Sequence, residues 1–80
     1  MRPSAIKIES RAVDVSCSAD ALHVRLADGR ELTVPLAWFP RLRGASAAEL
    51  QQHRLIGGGL GIHWPALDED ISVEGLLATH

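Results

Sequence analysis

The sequence predicts a small α+β domain: an antiparallel sheet built from a three-strand meander plus one further strand, with two short helices. Three observations support this fold class. Apolar and polar residues alternate in three runs between residues 12 and 36, Asp28-Gly29 lies between the second and third runs, and helix-start motifs follow at Ser46 and Ser72. A period of two is typical of half-buried strands, whereas a capping serine marks the beginning of a helix.

The meander follows from the apolar residues of the three runs, which are Val13, Val15 and Cys17, then Leu22, Val24 and Leu26, then Leu32, Val34 and Leu36. Glycine readily adopts the positive φ of a tight turn, so Asp28-Gly29 predicts a hairpin between the second and third strands. Pro35 and Pro40 cannot donate to a sheet ladder. The third strand should therefore end near Leu36.

The first helix is predicted by Ser46 and Glu49, which have the spacing of a capping box. It should run from residue 47 to about residue 53, with Ala47 and Leu50 facing inward. Because isolated helices of this length are marginal, packing on the sheet must stabilise it.

The stretch from residue 57 to residue 77 contains the fourth strand and the second helix. Its glycine run matches neither GxGxxG nor a phosphate-binding loop and predicts a turn or bulge. In the strand that follows, Leu60, Ile62 and Trp64 should share one face, and Pro65 should end it. Ser72 is then a good N-cap for a helix over residues 73–79, with Ile71 packed on Leu76.

Composition limits the classes of function. The 80 residues fit a single domain, in which residues 1–11 precede the first element and could form a loose N-terminal segment. A net charge of −2 provides no general basic field for nucleic acid or an anionic membrane. Cys17 is the only cysteine, and neither a signal peptide nor a membrane span is evident. A cytoplasmic location is expected.

Two groups of residues between positions 38 and 43 are candidates for interaction. Trp38 and Phe39 form the densest aromatic patch of the chain; core packing is the first interpretation, and a ligand platform is the alternative. Arg41 and Arg43, together with Arg54, flank the first helix and could form a small basic patch, joined by Arg25 and Arg30 on the open sheet face, although arginines at this density are more often solubilising charge. Direct nucleic-acid binding is therefore not expected.

A third candidate group lies near the C-terminus. Trp64 is expected to be buried, and His63 with Asp68, Glu69 and Asp70 forms a cluster with acid–base or hard-ligand potential. One interpretation is a divalent cation site or a proton-transfer pair of His63 and Asp68. The other is a solvated loop whose carboxylates favour the start of the next helix. The sequence assigns no catalytic residue, metal ligand or cofactor.

A family resemblance rests on Val34-Pro35-Leu36, on Trp38-Phe39-Pro40-Arg41-Leu42 with Ala45, and on the run from Gly61 to Leu77 that reads GIHWPxLDEDISVxxLL. With the Asp28-Gly29 hairpin, these residues resemble the bacterial domain-of-unknown-function family 2442 over nearly the whole chain. The resemblance implies a compact α+β domain. It also implies a partner, because members are often encoded beside a small uncharacterised protein of family 4160 in a pairing suggestive of toxin and antitoxin.

Two functions remain open at the level of sequence. The first is a small protein-binding module, an antitoxin-like partner of a neighbouring small protein or a homodimer, which uses an edge strand and the Trp38-Phe39 patch. The alternative is a metal-dependent or hydrolytic enzyme that uses His63 and the carboxylates from Asp68 to Asp70.

Overall fold

A computed structural model describes residues 8–79 and shows two antiparallel sheets of three strands each, with three short helices. The strands are β1 (Ala12–Cys17), β2 (Ala21–Leu26), β3 (Glu31–Pro35), β4 (Arg54–Ile56), β5 (Gly61–Trp64) and β6 (Glu69–Ser72), and the helices are α1 (Pro40–Arg43), α2 (Ala47–Gln51) and α3 (Val73–Thr79). The strand order is β1-β2-β3 in the first sheet and β4-β5-β6 in the second. The α+β class is confirmed, and the fourth predicted strand lies in the centre of a second sheet.

The predicted hairpin joins β2 and β3. Gly29 has a φ of 96°, and its amide donates to the carbonyl oxygen of Leu26 at 3.0 Å. Strand β3 ends at Pro35, as the proline positions predict. The alternation of β2 and β3 is also as predicted, since Leu22, Val24 and Val34 are buried.

Strand β1 departs from the predicted alternation because it contains a β-bulge. Ala12 pairs with Leu26 and Asp14 pairs with Arg25, so Val13 is an extra residue without an opposite partner. A bulge changes which face the preceding side chains occupy. Ala12 is consequently buried, while Val13, predicted to face inward, is 45% exposed.

The capping box at the start of α2 is formed as predicted. Ser46 Oγ accepts from the Glu49 amide at 3.1 Å, and Glu49 Oε1 accepts from the Ser46 amide at 2.9 Å. The helix ends at Gln51, earlier than predicted, because the chain then turns into β4. Leu50 is buried as expected, but Ala47 is exposed, so the prediction that it faces inward is wrong.

Three glycines form the turn between β4 and β5, and one of them is required by close packing. Gly59 is buried with a φ of +103°, and a Cβ there would lie 2.4 Å from the carbonyl oxygen of Ala12. The turn therefore brings the second sheet against the backbone of β1. Leu60, predicted to share a strand face with Ile62, instead precedes β5 and is 54% exposed.

The two sheets share one hydrophobic core. The buried apolar side chains come from both sheets and from the helices, namely Ala12, Val15, Leu22, Val24, Leu26, Leu32, Val34, Leu36, Leu42, Leu50, Ile62, Trp64, Ile71, Val73 and Leu76. Trp64 is completely buried, and its Nε1 donates to the carbonyl oxygen of Leu50 at 3.1 Å. This bond joins the second sheet to α2 and satisfies the polar atom of a buried indole.

Residues 9–11 are attached to the hairpin. The Glu9 amide donates to Asp28 Oδ2 at 2.9 Å, and the Ala27 amide donates to the carbonyl oxygen of Arg11 at 2.9 Å. Of the segment that could be loose, residues 1–7 lie outside the described residues. Within residues 8–79, none of the helices has the length and apolar character that crossing a bilayer requires.

Candidate functional site

An apolar groove lies between the aromatic patch and the edge of the second sheet. It has a volume of about 360 Å³, enough for one or two large side chains. Its lining comes from the segment before α1, from strand β6 and from the first turns of α3, namely Trp38, Phe39, Glu69, Asp70, Ile71, Ser72, Gly75 and Leu76. We call it the Trp38 groove.

Trp38 is exposed because of the tight turn that carries it. Residues Leu36–Trp38 form a 3₁₀ turn, in which side chains three residues apart lie on the same side. Leu36 is buried and Phe39 packs against the core, so Trp38 points away from it and is 50% exposed. The first interpretation of this residue, that it belongs to the core, is therefore wrong, whereas for Phe39 it is partly right.

Strand β6 presents an open edge to this groove. The Val73 amide donates to the carbonyl oxygen of Leu60 at 3.0 Å, which continues the β5–β6 register by one pair. Bonded pairs alternate in antiparallel ladders, so Glu69 and Ile71 direct their backbone groups toward β5. The amides of Asp70 and Ser72 and the carbonyl of Asp70 consequently point away from the sheet. Within residues 8–79, no further strand pairs with this edge.

Arg41 closes one end of the same edge. Its guanidinium donates to the carbonyl oxygen of Asp68 and lies 3.5 Å from the Asp68 carboxylate. Asp68 itself is left-handed, with a φ of 51°, in the turn between β5 and β6, a conformation that aspartate tolerates better than most residues. Arg41 thus holds α1 and the Trp38 segment beside the start of β6.

His63 and Asp70 face each other across β5 and β6, and His63 Nδ1 is hydrogen-bonded to Asp70 Oδ1. The alternative interpretation that pairs His63 with Asp68 is wrong in its partner, because Asp68 is bound to Arg41. The acidic run is also not a loop: Glu69 and Asp70 begin strand β6, and Glu69 lies opposite Trp64. Arg54 lies opposite His63 on the other side, so cation, imidazole and carboxylate form one row across the sheet.

The predicted cluster does not assemble a metal site. In the described part of the chain, His, Cys, Asp and Glu side chains nowhere form a group of three that could hold an ion. Asp68 and Asp70 have different partners, Arg41 and His63 respectively. The pair of His63 and Asp70 remains a candidate proton-transfer couple, and its neighbours on the same sheet face are Arg54, Ile56 and Ser72.

The remaining candidates, Arg43 and Trp64, lie in different environments. Arg43 is exposed at the end of α1, and Trp64 is a core residue with no access to solvent. His53, two residues after the end of α2, is half-buried, with its ring centroid 5.8 Å from that of Trp64. Arg41 and Arg43 therefore do not form a common patch with the other arginines, since Arg41 is bound to Asp68 and Arg54 lies on the second sheet.

The outer face of the first sheet is polar. His23 lies within 3.2 Å of both Thr33 Oγ1 and Ser18 Oγ, and Arg25 sits between Asp14 and Glu31 in the strand register. Cys17 is half-buried at the end of strand β1, and burial raises the pKa of its thiol. Because the thiolate is the reactive form, Cys17 is a weak nucleophile at neutral pH.

Four residues of the groove were missed by the sequence analysis: Ile71, Ser72, Gly75 and Leu76 contribute its second wall. Ile71, Ser72 and Leu76 were assigned only to the start of a helix. The sequence does offer one indication of this second wall. The connection from Pro65 to Asp68 is short, which is compatible with a following strand that runs antiparallel to β5. A strand of four residues with one apolar side chain gives no periodicity of its own.

Fold and site together define a small α+β domain of two antiparallel sheets with an apolar groove along one open edge. The chain belongs to the family described as "Protein of unknown function (DUF2442)", whose model matches residues 12–79. This confirms the resemblance inferred from the GIHWP and DEDISV motifs.

Two solved structures are similar to this chain. A protein of unknown function from Rhodospirillum rubrum is 32% identical with a TM-score of 0.77, and the similarity covers 86% of each chain. An uncharacterized protein from Chromobacterium violaceum is 27% identical with a TM-score of 0.72, over 85% of this chain and 64% of that protein. A comparison with curated proteins gave no match.

Proposed function

We propose that this protein is a protein-binding module that receives its partner in the Trp38 groove. The observation that carries the proposal is the half-exposed Trp38 beside the open edge of β6. Tryptophan is the residue most enriched at the energetic centres of interfaces, because it buries a large apolar area with little loss of conformational freedom. Exposed without a partner, it leaves much of that area in water.

Strand addition is the mode of binding that this geometry favours. A partner segment laid along β6 would satisfy the outward backbone groups of Asp70 and Ser72, and one of its side chains would enter the groove against Trp38. The backbone bonds would contribute affinity, while the groove would select the side chain. The Arg41 contact supports this mode, because it keeps the opposite wall of the groove at a fixed position before binding.

The partner proposed by family resemblance is a small protein encoded beside this one, with the present chain in the antitoxin-like role. The complex would form in the cytoplasm, where a single half-buried thiol such as Cys17 stays reduced. A second copy of this chain is the variant of the proposal in which β6 edges pair about a two-fold axis.

The test is a titration of the purified neighbouring protein into this chain at micromolar concentration, followed by calorimetry and sedimentation. Trp38→Ala should weaken the complex roughly 30-fold, as expected for a central aromatic side chain. Val13→Ala is the matched control, because Val13 is similarly exposed at 45% but lies in β1 of the first sheet, outside the lining of the Trp38 groove. Its affinity should be unchanged.

Three outcomes of this test have distinct meanings. A complex that is weakened by Trp38→Ala alone supports both the function and the site. Equal effects of the two substitutions would place the interface elsewhere. If the proteins stay separate and this chain is also a monomer at high concentration, the proposed pairing and its dimeric variant both fail.

A further inference from the structure

Charge around the Trp38 groove is entirely of one sign on the β6 side. The segment from residue 68 to residue 74 contains four carboxylates, those of Asp68, Glu69, Asp70 and Glu74, and neither a lysine nor an arginine. Glu69 and Asp70 line the groove directly, and the Asp70 side chain is 69% exposed. The apolar floor made by Ile71 and Leu76 is thus bordered by negative charge.

The cationic side chain near this negatively charged border, Arg41, already has a partner in Asp68. The Arg41 guanidinium contacts the carbonyl oxygen and the carboxylate of Asp68, at one end of the β6 edge rather than along it. His63 contacts Asp70 from the outer face of the second sheet. Glu69 lies opposite Trp64, is only half-exposed, and is not bonded to either group.

We infer that the groove is built for an extended peptide segment that carries lysine or arginine next to one large apolar side chain. This inference rests on the proposed function and specifies the chemistry of the partner. The apolar side chain would lie between Trp38 and the floor of the groove. Because side chains alternate along a strand, a basic residue directly beside the apolar one would lie on the face of Asp70 while the segment pairs with β6, and a basic residue two positions away would lie on the face of Glu69.

The first experiment selects peptides without assuming a partner. A displayed library of random dodecapeptides is sorted on the wild-type protein and counter-selected on Trp38→Ala, so that only ligands of the groove survive. The surviving sequences should be enriched in lysine and arginine beside an aromatic or long aliphatic residue. They should be depleted in aspartate and glutamate.

The second experiment tests one selected peptide by calorimetry. Glu69→Gln should weaken binding about threefold at low salt, the size expected for a partly exposed ion pair, and the difference should shrink at high salt. Val13→Ala again serves as the control and should bind like the wild type. N-methylation of every second peptide residue should abolish binding in one register and be tolerated in the other, because only alternate amides face β6.

The results separate this inference from the proposed function. Groove-dependent peptides with no preference for basic residues, or with a preference for acidic ones, would overturn the charge assignment and leave protein binding intact. Tolerance of N-methylation in both registers would overturn strand pairing. If no groove-dependent peptide emerges, the extended-peptide inference is wrong, and the complex with the folded neighbouring protein decides the proposed function independently.

Discussion

At the scale of single residues, this fold depends on a few positions where chemistry leaves no alternative. Asp28 is one of them, because its carboxylate accepts from the guanidinium and amide of Arg30 and from the amide of Glu9. The hydrogen bond from the Arg30 side chain is the main cause that lowers the pKa of Asp28 to about 2, and the amides of Glu9 and Arg30 contribute in the same direction. One side chain thereby organises the hairpin and attaches residues 9–11 to it.

This depressed pKa predicts an acid-dependent loss of stability. A carboxyl group with a lower pKa in the folded state stabilises the fold above its unfolded pKa of about 4, and the contribution disappears as the pH falls through about 2. Asp28→Asn should therefore be less stable than the wild type at neutral pH, and the two should converge near pH 2. Urea unfolding at both values measures this, and a constant difference would contradict it.

Gly59 is the second such position, and it yields a sharper prediction. Gly59→Ala would place a methyl group 2.4 Å from the Ala12 carbonyl oxygen at a φ of +103°. Backbone strain and overpacking should together cost about 2–4 kcal/mol of unfolding free energy. Gly44→Ala is the control, since a Cβ there meets no atom within 4 Å, and it should be nearly neutral. Equal effects in urea unfolding would show that the close approach to β1 is not essential.

At the scale of elements, the short helix α2 shows how local chemistry compensates for length. Five residues cannot form a stable helix alone, so the reciprocal bonds of Ser46 and Glu49 and the burial of Leu50 must hold it. Ser46→Ala should cost about 1 kcal/mol, and Ser46→Asp, which preserves a capping oxygen, should restore most of that. Urea unfolding of the pair checks this. Equal losses for both variants would exclude capping as the cause.

The elements also show which features a sequence can predict. The Asp28-Gly29 hairpin and the Ser46 box were predicted correctly because both depend on residues fewer than five positions apart. Strands β4 and β6 were missed because three or four residues carry no periodicity, and their pairing with β5 is a tertiary contact. The exposure of Trp38 was missed because it is also decided by tertiary contacts: only these determine which side chains of the short 3₁₀ turn pack into the core.

The candidate site was predictable only in part. Four residues were identified from the sequence as interaction candidates and do line one groove, namely Trp38, Phe39, Glu69 and Asp70. The pairing of Asp68 with Arg41 and of Asp70 with His63 could not be inferred, because it depends on where the turn ends and β6 begins and on the register of β6 against β5.

At the scale of the whole molecule, the single core makes the two sheets interdependent. Neither sheet of three strands has a second apolar layer of its own, so each buries its inner face against the other and against the helices. The close approach of Gly59 to Ala12 joins the two sheets directly, and the Trp64 bond to Leu50 joins the second sheet to α2. Separate unfolding of one sheet would expose the core side of the other.

This interdependence predicts one cooperative unfolding transition. Leu22→Ala in β2 should cost about 2–5 kcal/mol and Ile62→Val in β5 about 0.5–1.5 kcal/mol, since both side chains are fully buried. Either change should shift the whole transition in urea. In a Trp38→Phe background Trp64 is the only tryptophan, so its fluorescence reports the second sheet, and amide signals of β2 in NMR spectra report the first. Coincident midpoints for both probes in both variants are expected; a midpoint that moves for one sheet alone would mean that the sheets unfold as independent units.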